Sequence, residues 1–371
     1  MKILFCTDGI FPYMVGGMQR HSRLLIEELA NDPTIELAVI HPHQQKIFTS
    51  FQNVKEYIIQ PVDVTKNYLR QCYLYSKQVH AVAVSLPDHI IYSQGLSVWY
   101  RINDLKNRLI INPHGLEPYQ AIGFKAKLQA IPFKWIFTRL FKKAACTISL
   151  GGKLTNILGH RARSVAEIPN AVLANSFSRK SPESCQPIKF LFVGRFAHNK
   201  GIGILMAAIE KLKEVKTHHT FQFYLAGKGP LFDTYRSKFL SEDVHFAGFV
   251  SDEDLTEYYK SCDVFVLPTL FEGMPTVVLE AMSFGMPIIV THVGATALQV
   301  DETNGFLIKT NDVNALVAAF QKIDVWTNEQ WSRASISSVN KIESFFTWKV
   351  VAEAHQKLFA RIAENVFNKV R

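Results

Sequence analysis

Residues 189–216 read KFLFVGRFAHNKGIGILMAAIEKLKEVK, and this stretch determines the class of fold. It begins with the apolar run Lys189–Val193, which is typical of a buried β-strand. The strand ends at Gly194, and a helical pattern follows over residues 202–216. A strand that leads directly into a helix is the repeating unit of a parallel sheet covered by helices.

The same alternation of strands and helices continues in both directions from this stretch. Before it we predict strands at Ile3–Thr7, Glu36–His41, Tyr57–Gln60, His89–Ser93, Leu109–Asn112, Thr147–Leu150 and Val165–Ile168. After it we predict strands at Gln222–Ala226, Val244–Ala247, Val264–Leu267, Ile288–Thr291 and Phe306–Lys309. The two series predict an α/β protein with two Rossmann-like domains, each built on a parallel sheet.

The domain boundary follows from composition. Residues 169–187 are rich in Ser, Asn and Pro and lack periodicity, so we place a linker there, at 171–187. The first domain is then residues 1–170 and the second is residues 188–349. A long helical pattern at about 350–371 closes the chain.

The overall composition indicates a globular protein. Of 371 residues, 48% are hydrophobic and 20% are charged, which excludes a wholly disordered chain. The apolar run after Met1 and Lys2 is too short for a signal peptide, and no run approaches a membrane span. The five cysteines show no paired spacing, so we predict neither disulfides nor a zinc site and expect a cytoplasmic location.

Positive charge is concentrated in the first half. The net charge is +9, and residues 1–175 hold 20 basic and 11 acidic residues, so they account for the whole excess. We expect this half to meet an anionic partner. The chain shows none of the usual nucleic-acid-binding motifs, so nucleic acid is not the expected partner, although DNA affinity would test that alternative.

The excess is partly local, because residues 122–145 hold six basic residues and no acidic one. Pro132 is predicted to start a helix, whose apolar face consists of Phe133, Ile136, Phe137, Leu140 and Phe141. A basic helix with aromatic residues is typical of a peripheral membrane anchor on an anionic surface. The candidate membrane contacts are Lys134, Trp135, Arg139, Lys142 and Lys143. The alternative is an ordinary amphipathic helix packed on the core.

Two motifs of the first half follow strand ends. Gly16 and Gly17 directly precede a helix, where glycine permits positive φ and lets a ligand approach the backbone at an anion-binding helix N-terminus. The alternative is a plain tight turn. His114 follows the strand Leu109–Asn112 and is suited to polarise or bind a substrate hydroxyl, although a lone histidine is often structural.

The second half of the chain carries more candidate binding residues than the first. Arg195 and Lys200 follow a strand end, and a guanidinium fork with a lysine suits a diphosphate. Glu272 precedes a helix start and Glu280 lies within that helix, so two carboxylates could bind the hydroxyls of a two-sugar ligand. Amides at the helix start, in Gly273, Met274, Pro275 and Thr276, would face a phosphate or sugar, with Pro275 at the first helical position. Solvated surface charges are the alternative, and Gly227 in Ala-Gly-Lys-Gly is a weaker signal.

One acidic motif is set aside. Asp252-Glu253-Asp254 matches an Asp-x-Asp metal signature, but it follows Ser251 and opens a helix, so we interpret it as a capped helix start. We therefore expect no metal. The chain has no P-loop and no nucleophile elbow.

Together these motifs resemble the retaining, nucleotide-sugar-dependent glycosyltransferases of family 4, which have the GT-B fold. The segments that carry the resemblance are GGMQRH at 16–21, NPHG at 112–115, IPNA at 168–171, VGR…KG at 193–201, AGKG at 226–229, FAGFV at 246–250, Glu272-x7-Glu280 and FTW at 346–348. The linker departs from the family's usual Asn-Gly-Val-Asp. The resemblance implies two domains facing across a cleft, with the last helix crossing back to the first.

The resemblance also implies roles. Arg195 and Lys200 would hold the donor diphosphate, with Gly16 and Gly17 approaching from the other domain. Glu280 would bind the ribose, and Glu272 with the amides of 273–276 would bind the transferred sugar. His114 would lie near that sugar. Gly248, Phe249 and Val250 would face the nucleobase, and Gly227 completes the expected donor-binding set.

The expected activity is metal-independent, retaining transfer of a hexosyl unit from a nucleotide-diphosphate sugar, UDP- or GDP-linked. The acceptor would be a saccharide or a lipid-linked saccharide in cell-envelope polysaccharide or glycolipid synthesis. Three alternatives stay open: a non-catalytic sugar-nucleotide-binding or scaffold protein, a phosphorylase, and a sugar-nucleotide epimerase.

Overall fold

A computed structural model describes residues 1–367 except 64, 121–122, 176, 178–181, 183–185 and 240. The chain divides into two compact units, Met1–Asn170 with Trp348–Arg371, and Ala171–Thr347. Several residues of the predicted linker and the last four residues of the predicted C-terminal helix lie outside the described residues.

The strands and helices alternate along the chain. The strands are β1 Lys2–Cys6, β2 Glu36–His41, β3 Val54–Ile58, β4 Ile90–Gln94, β5 Leu109–Asn112, β6 Cys146–Ser149, β7 Val165–Glu167, β8 Ile188–Val193, β9 Phe221–Ala226, β10 Val244–Gly248, β11 Val264–Leu267, β12 Ile288–Thr291 and β13 Gly305–Ile308. The helices are α1 Gly17–Ala30, α2 Tyr68–Ser85, α3 Glu117–Gln120, α4 Phe124–Lys143, α5 Lys153–Gly159, α6 Ile202–Leu212, α7 Phe232–Lys238, α8 Asp252–Ser261, α9 Thr276–Ser283, α10 Thr296–Gln299, α11 Val313–Asp324, α12 Asn328–Lys341 and α13 Trp348–Phe367.

Each unit is built on one parallel sheet, which confirms the predicted fold class. The first sheet has the order β3-β2-β1-β4-β5-β6-β7, and the second has the order β10-β9-β8-β11-β12-β13. In the first sheet Leu4 lies opposite Ala38 and Ile91, and all three side chains are buried. Such apolar strands are buried because helices cover both faces of a parallel sheet.

The strand order reverses once in each sheet. In the first unit the reversal lies between β1 and β4, and in the second it lies between β8 and β11. Ligands of open α/β sheets bind outside the carboxyl ends of the strands at this switch point. The loops that follow β1, β4, β8 and β11 are therefore where a site is expected.

Two local predictions differ from the structure. The helix predicted to start at Pro132 begins at Phe124, with Pro132 inside it. The prediction was wrong because the carbonyl of Leu128, which loses its hydrogen bond and is displaced by the proline ring, lies on a side of the helix that is open to solvent. Strand β3 ends at Ile58, two residues before the predicted end. It is an edge strand, and its polar residues obscure the apolar pattern from which strand ends are predicted.

The predicted apolar face of α4 packs on the first unit. Ile136, Leu140 and Phe141 are buried, and Phe133 and Phe137 are partly buried. The core-packing interpretation therefore holds for this face. Among the described residues, no helix combines the length and the apolar character needed to cross a bilayer.

Candidate functional site

Lys200 and Glu272 meet at the switch point of the second unit. Lys200 lies in a 3-10 turn after β8, and Glu272 lies in the loop after β11. The Lys200 Nζ donates a hydrogen bond to Glu272 Oε1, and both side chains are mostly shielded from solvent. The fold thus places a cation and a carboxylate, distant in sequence, at one edge of the sheet. Arg195, from the same loop as Lys200, is exposed.

The loop that carries Lys200 is fixed by the loop after β11. The Thr269 Oγ1 and the backbone N–H of Leu270 both donate to the carbonyl of Asn199, at 2.8 Å each. Gly201 has φ 72°, and a Cβ there would lie 1.8 Å from the carbonyl oxygen of Pro268. Glycine is therefore required at 201, and the two loops act as one rigid support.

Helix α9 begins directly behind Glu272. Its first residue is Thr276, and Pro275 is the extended N-cap, one residue before the predicted helical position. No side chain caps this end, so no side-chain acceptor competes with an anion for the amides that a helix start directs outward. Gly273, Met274 and Pro275 are buried, and the carbonyl of Gly273 accepts from the N–H of Ala295 at 2.9 Å, which fixes this segment ahead of the helix.

Two residues of this region escaped the sequence analysis. A Cβ at Gly294, in the loop after β12, would lie 2.3 Å from the carbonyl oxygens of Glu272 and Gly273, so glycine is required there too. The Tyr259 Oη donates to Glu280 Oε2 at 2.8 Å and fixes that carboxylate one turn into α9. The position of Gly294 after a strand end is a signal that sequence analysis could have used. Nothing in the local pattern indicates the role of Tyr259.

A cavity of about 390 Å³ lies next to the ends of β9 and β10. Its walls include Lys228, Arg236, Gly248 and the exposed ring of Phe249. Val250 follows but does not line it. Gly227 has φ 127°, and a Cβ there would lie 2.0 Å from the carbonyl oxygen of Gly194, so these loops pack closely. An aromatic ring beside basic groups is chemistry suited to a nucleobase.

In the first unit, Gly16 directly precedes α1 and Gly17 is its first residue, and neither glycine uses the left-handed backbone that the sequence analysis considered. Gly16 has φ 163°, which is extended backbone, and Gly17 lies outside the left-handed region. No described atom lies within 4 Å of a Cβ placed on Gly17. Gly17 therefore leaves open space at the start of α1, whereas a Cβ on Gly16 would lie 2.3 Å from Gln19 Oε1.

His114 does have the unusual backbone, with φ 58°. Its N–H donates to Asn112 Oδ1 at 3.0 Å, and the Asn112 Nδ2 donates to the Tyr92 Oη at 2.9 Å. A left-handed conformation costs a non-glycine residue about 1–2 kcal/mol. The Asn112 side chain thus holds His114 in a conformation that the residue would otherwise avoid.

Two further histidines complete this cluster. His355, on α13, lies against the carbonyl of Val351 at 2.8 Å through Nδ1, so that nitrogen carries the proton. The Tyr92 Oη lies 3.4 Å from the Nε2 atoms of both His355 and His21. It therefore donates to His355 and accepts from His21. The His21 and His114 rings meet edge to face at 4.7 Å.

This cluster is uncharged. Burial, reinforced by neighbouring histidines, lowers the pKa of His114 to about 3 and that of His21 well below 6.5. Burial lowers the pKa of His355 to about 4. The His114 Nε2 and the His21 Nδ1 lack hydrogen-bond partners among the described residues. His114 therefore presents a neutral imidazole with unused hydrogen-bonding capacity.

These pKa values predict that acid destabilises the first unit. Below pH 6.5 these histidines bind protons in the unfolded chain but stay neutral in the folded cluster. Protonation therefore favours the unfolded state, and the stability of the folded state that is present above pH 6.5 is lost as pH falls toward 4. Each histidine contributes a slope of about 1.4 kcal/mol per pH unit. Thermal unfolding midpoints across this range measure the effect. His355→Gln should flatten the curve and exposed His198→Gln should not; a midpoint that rises on acidification contradicts the assignment.

The acidic motif at 252–254 is a helix start. The Ser251 Oγ accepts from the N–H of Asp254 at 3.0 Å, which confirms the capping interpretation. Within the described part of the chain, no three His, Cys, Asp or Glu residues are grouped so that they could hold a metal ion.

Residues 187–323 match the family described as Glycosyl transferases group 1. The glycogen synthase of Mycobacterium tuberculosis is 25% identical over 234 residues, 61% of this chain and 55% of the relative. The colanic acid biosynthesis glycosyltransferase WcaL of Escherichia coli is 30% identical over 155 residues, 37% of each chain. The matched stretch thus spans about half or less of these two relatives.

Solved structures of similar fold match nearly end to end. The sucrose-phosphate synthase of Thermosynechococcus elongatus has a TM-score of 0.80 at 20% identity, covering 97% of this chain and 98% of that one. The Anabaena protein HepE, solved with UDP and glucose, has a TM-score of 0.67 at 16% identity, covering 97% and 100%. The chain has the GT-B fold.

Proposed function

We propose, from the premise that its second unit belongs to the group 1 glycosyl transferases, that this chain transfers a hexosyl unit from a nucleotide-diphosphate sugar to a saccharide acceptor. The observation that carries the proposal is the pairing of Lys200 with Glu272 beside the uncapped start of α9. A lysine and free helix amides suit a diphosphate, and a neighbouring carboxylate suits sugar hydroxyls.

The nucleoside would occupy the adjacent part of the second unit. Glu280, held by Tyr259, would bind the ribose, and the cavity at Phe249 would hold the base. The likeness to HepE, a protein solved with UDP, supports a uridine donor first and a guanosine donor second. Arg195 and Lys200 would share the diphosphate charge.

The reaction would proceed with retention and without a metal. The bond between the anomeric carbon and the phosphate oxygen breaks, and its electron pair remains on the diphosphate. Lys200, Arg195 and the α9 amides stabilise that developing charge. The acceptor oxygen bonds to the anomeric carbon from the face that the phosphate leaves, and its proton passes to the leaving oxygen. His114, neutral and buried, would bind a hydroxyl of the transferred sugar.

Thermal unfolding with UDP, GDP and ADP, each with EDTA, tests the donor site. A ligand that binds only the folded state raises the midpoint by mass action. Stabilisation by one nucleotide in the presence of EDTA supports the proposal and identifies the base. Stabilisation by none of them overturns it and favours a scaffold.

Stereochemistry separates this reaction from its alternatives. A product with the anomeric configuration of the donor supports retention, and an inverted product refutes it. Turnover that requires inorganic phosphate would indicate a phosphorylase, and an epimerised sugar nucleotide would indicate an epimerase. Tight nucleotide binding without transfer to any acceptor would leave a sugar-nucleotide-binding scaffold.

An exposed apolar stripe on the first unit supports the proposal of a lipid-linked acceptor. Helix α4 exposes four large apolar side chains spaced by four, three and four residues, each 56–85% exposed: Phe124, Leu128, Ile131 and Trp135. This stripe differs from the buried face that the sequence predicted. The helix carries six basic residues and no acidic one, and the Arg139 guanidinium lies 5.9 Å from the Trp135 ring centre.

The stripe and its charges would bind an anionic bilayer from the cytoplasmic side. Apolar side chains would enter the interface while Arg139 and Lys142, which are exposed, and the partly buried Lys134 and Lys143 would meet lipid headgroups. Cell-envelope polysaccharide or glycolipid synthesis, in which such acceptors occur, agrees with the name of the relative WcaL.

Vesicle sedimentation tests this surface. The protein should sediment with phosphatidylcholine–phosphatidylglycerol vesicles at low salt and be released by high salt, since screening weakens charge attraction. Ile131→Ser should weaken binding. Ile336→Ser is the matched control, because Ile336 is equally exposed at 56% but lies in the second unit. Equal loss in both variants, or no sedimentation of the wild type with these vesicles at low salt, contradicts the assignment.

A further inference from the structure

The loops that follow β1 and β2 hold a cluster of side chains that the proposed function does not yet use. The two strands pair in parallel, so both loops lie at the carboxyl edge of the first sheet. Ligands of open α/β sheets bind at this edge, and β1 borders the switch point. The loop after β1 also leads into Gly16 and Gly17 at the start of α1. We therefore expect a ligand of the first unit to lie against these loops.

A buried histidine and a buried glutamate support the loop after β2. The His41 Nδ1 accepts from the backbone N–H of His43 at 3.2 Å, so the His41 Nε2 carries the proton and donates to Glu56 Oε2 at 2.9 Å. The Glu56 carboxylate also accepts from the N–H groups of Ile47 and Phe48, at 2.7 and 3.1 Å. The side chains of His41 and Glu56 are at most 3% exposed. Hydrogen bonds shielded from solvent therefore anchor this loop.

His43 joins this loop to the loop after β1. Its Nε2 accepts from the backbone N–H of Ile10 at 2.8 Å, and a ring nitrogen that accepts belongs to a neutral imidazole. The proton then lies on Nδ1, which has no hydrogen-bond partner among the described residues. Burial, and then the neighbouring His41, lower the pKa of His43, in agreement with a neutral ring. His43 therefore offers one N–H donor in a fixed place.

Tyr13, from the loop after β1, packs against His43. The ring centroids lie 5.3 Å apart with a tilt of 43°, and the Tyr13 Oη accepts from the Gln45 Nε2 at 2.7 Å. Gln45 belongs to the loop after β2, so this hydrogen bond also joins the two loops. Tyr13 is nonetheless 50% exposed. An aromatic ring, an N–H donor and the amide oxygen of Gln45 thus lie together on one surface of the first unit.

This combination suits a hexopyranose. A sugar ring presents an apolar C–H face, for which an exposed aromatic ring is a matching surface. Each sugar hydroxyl both donates and accepts, so neighbouring hydroxyls can accept from His43 Nδ1 and donate to Gln45 Oε1. A phosphate would instead favour cations, and the side chains of Tyr13, His43 and Gln45 are neutral.

We infer that Tyr13, His43 and Gln45 form the subsite that holds a sugar ring of the acceptor. The Tyr13 ring stacks on the sugar, and His43 and Gln45 bind its hydroxyls. The subsite is preorganised, because hydrogen bonds hold His43 and Tyr13 before a ligand arrives and little side-chain entropy is lost on binding. The inference rests on the proposed function, which makes the acceptor a saccharide.

Saturation-transfer NMR with methyl α-D-glucoside, methyl α-D-mannoside and methyl α-D-galactoside tests the subsite directly. At least one glycoside should bind the wild type. Tyr13→Ala should raise its Kd about tenfold, since the stacking surface is lost, and Tyr13→Phe should keep most of the affinity. Gln45→Ala should raise the Kd several-fold, as expected when a neutral hydrogen bond is lost.

The matched control is Tyr73→Ala, which should bind like the wild type. Tyr73 is a tyrosine of the same unit with a similar exposure of 43%, but it lies on α2, where its ring contacts Trp99. Tyr13 and Gln45 are exposed loop residues, so the unfolding midpoints of their variants should stay close to that of the wild type. A lost NMR signal then reports the subsite and not the fold.

The subsite is overturned by an unchanged Kd in Tyr13→Ala, by an equal rise in Tyr13→Ala and Tyr73→Ala, or by no signal from any glycoside. The UDP thermal shift, measured on the same samples, separates this failure from failure of the proposed function. Protein that is stabilised by UDP but binds no glycoside refutes the subsite alone. Protein that binds a glycoside through Tyr13 but binds no nucleotide supports the subsite and refutes the donor assignment.

Discussion

Replacing Lys200 with alanine should reduce kcat on the order of a hundredfold or more. The variant loses the charge that stabilises the departing diphosphate, and removal of one such group from a preorganised site typically costs this much. It also leaves Glu272, a mostly shielded carboxylate, without its cation. Stabilisation by the nucleotide that protects the wild type should fall in parallel.

Lys213→Ala is the matched control for this prediction. Lys213 also forms an ion pair with a glutamate of the second unit, Glu210, at 3.0 Å. Unlike Lys200 and Glu272, both side chains of this pair are exposed to solvent. Exposed pairs contribute little, so both kcat and the nucleotide shift should match the wild type. Comparable activity in Lys200→Ala and Lys213→Ala would remove Lys200 from the donor site.

The sequence predicted most of the fold because its strands are simple apolar runs. Strands such as β8 and β11 are buried on both faces, so their pattern does not depend on tertiary partners. Where tertiary contacts determine the ends of a helix or strand, the prediction from sequence was wrong. Pro132 continues a helix because the helix faces solvent there, and β3 is a polar edge strand.

The candidate site was predictable to the extent that its residues follow strand ends. Arg195, Lys200 and Glu272 each stand just after such an end, and parallel strands bring their carboxyl ends to one edge. Residues that support the site from a distance carry no such signal. Tyr259 and His355 lie within helices, and in the sequence each occupies an ordinary position of an amphipathic helix. Their contacts, to Glu280 and Tyr92 respectively, form only when the chain folds.

Asn112 is a residue that supports the candidate site through contacts formed on folding. Asn112→Ala should reduce kcat about ten- to a hundredfold, since small displacements of a positioned group have effects of this size. The variant removes the acceptor that holds the His114 backbone at φ 58° and the donor to the Tyr92 hydroxyl. The His114 ring would then leave its fixed place, although the residue itself is unchanged. Nucleotide stabilisation should persist, because the donor-binding residues of the second unit are untouched.

The control must separate lost position from lost stability. Asn53 is suitable, because its Nδ2 donates to the carbonyls of Ala30, Asp32 and Ile35 in the same unit, away from His114. Asn53→Ala should lower the unfolding midpoint at least as much as Asn112→Ala does, yet leave kcat of the folded protein intact. If both variants lose activity equally, Asn112 acts through stability alone. If Asn112→Ala loses kcat while retaining a higher midpoint than Asn53→Ala, the asparagine positions His114.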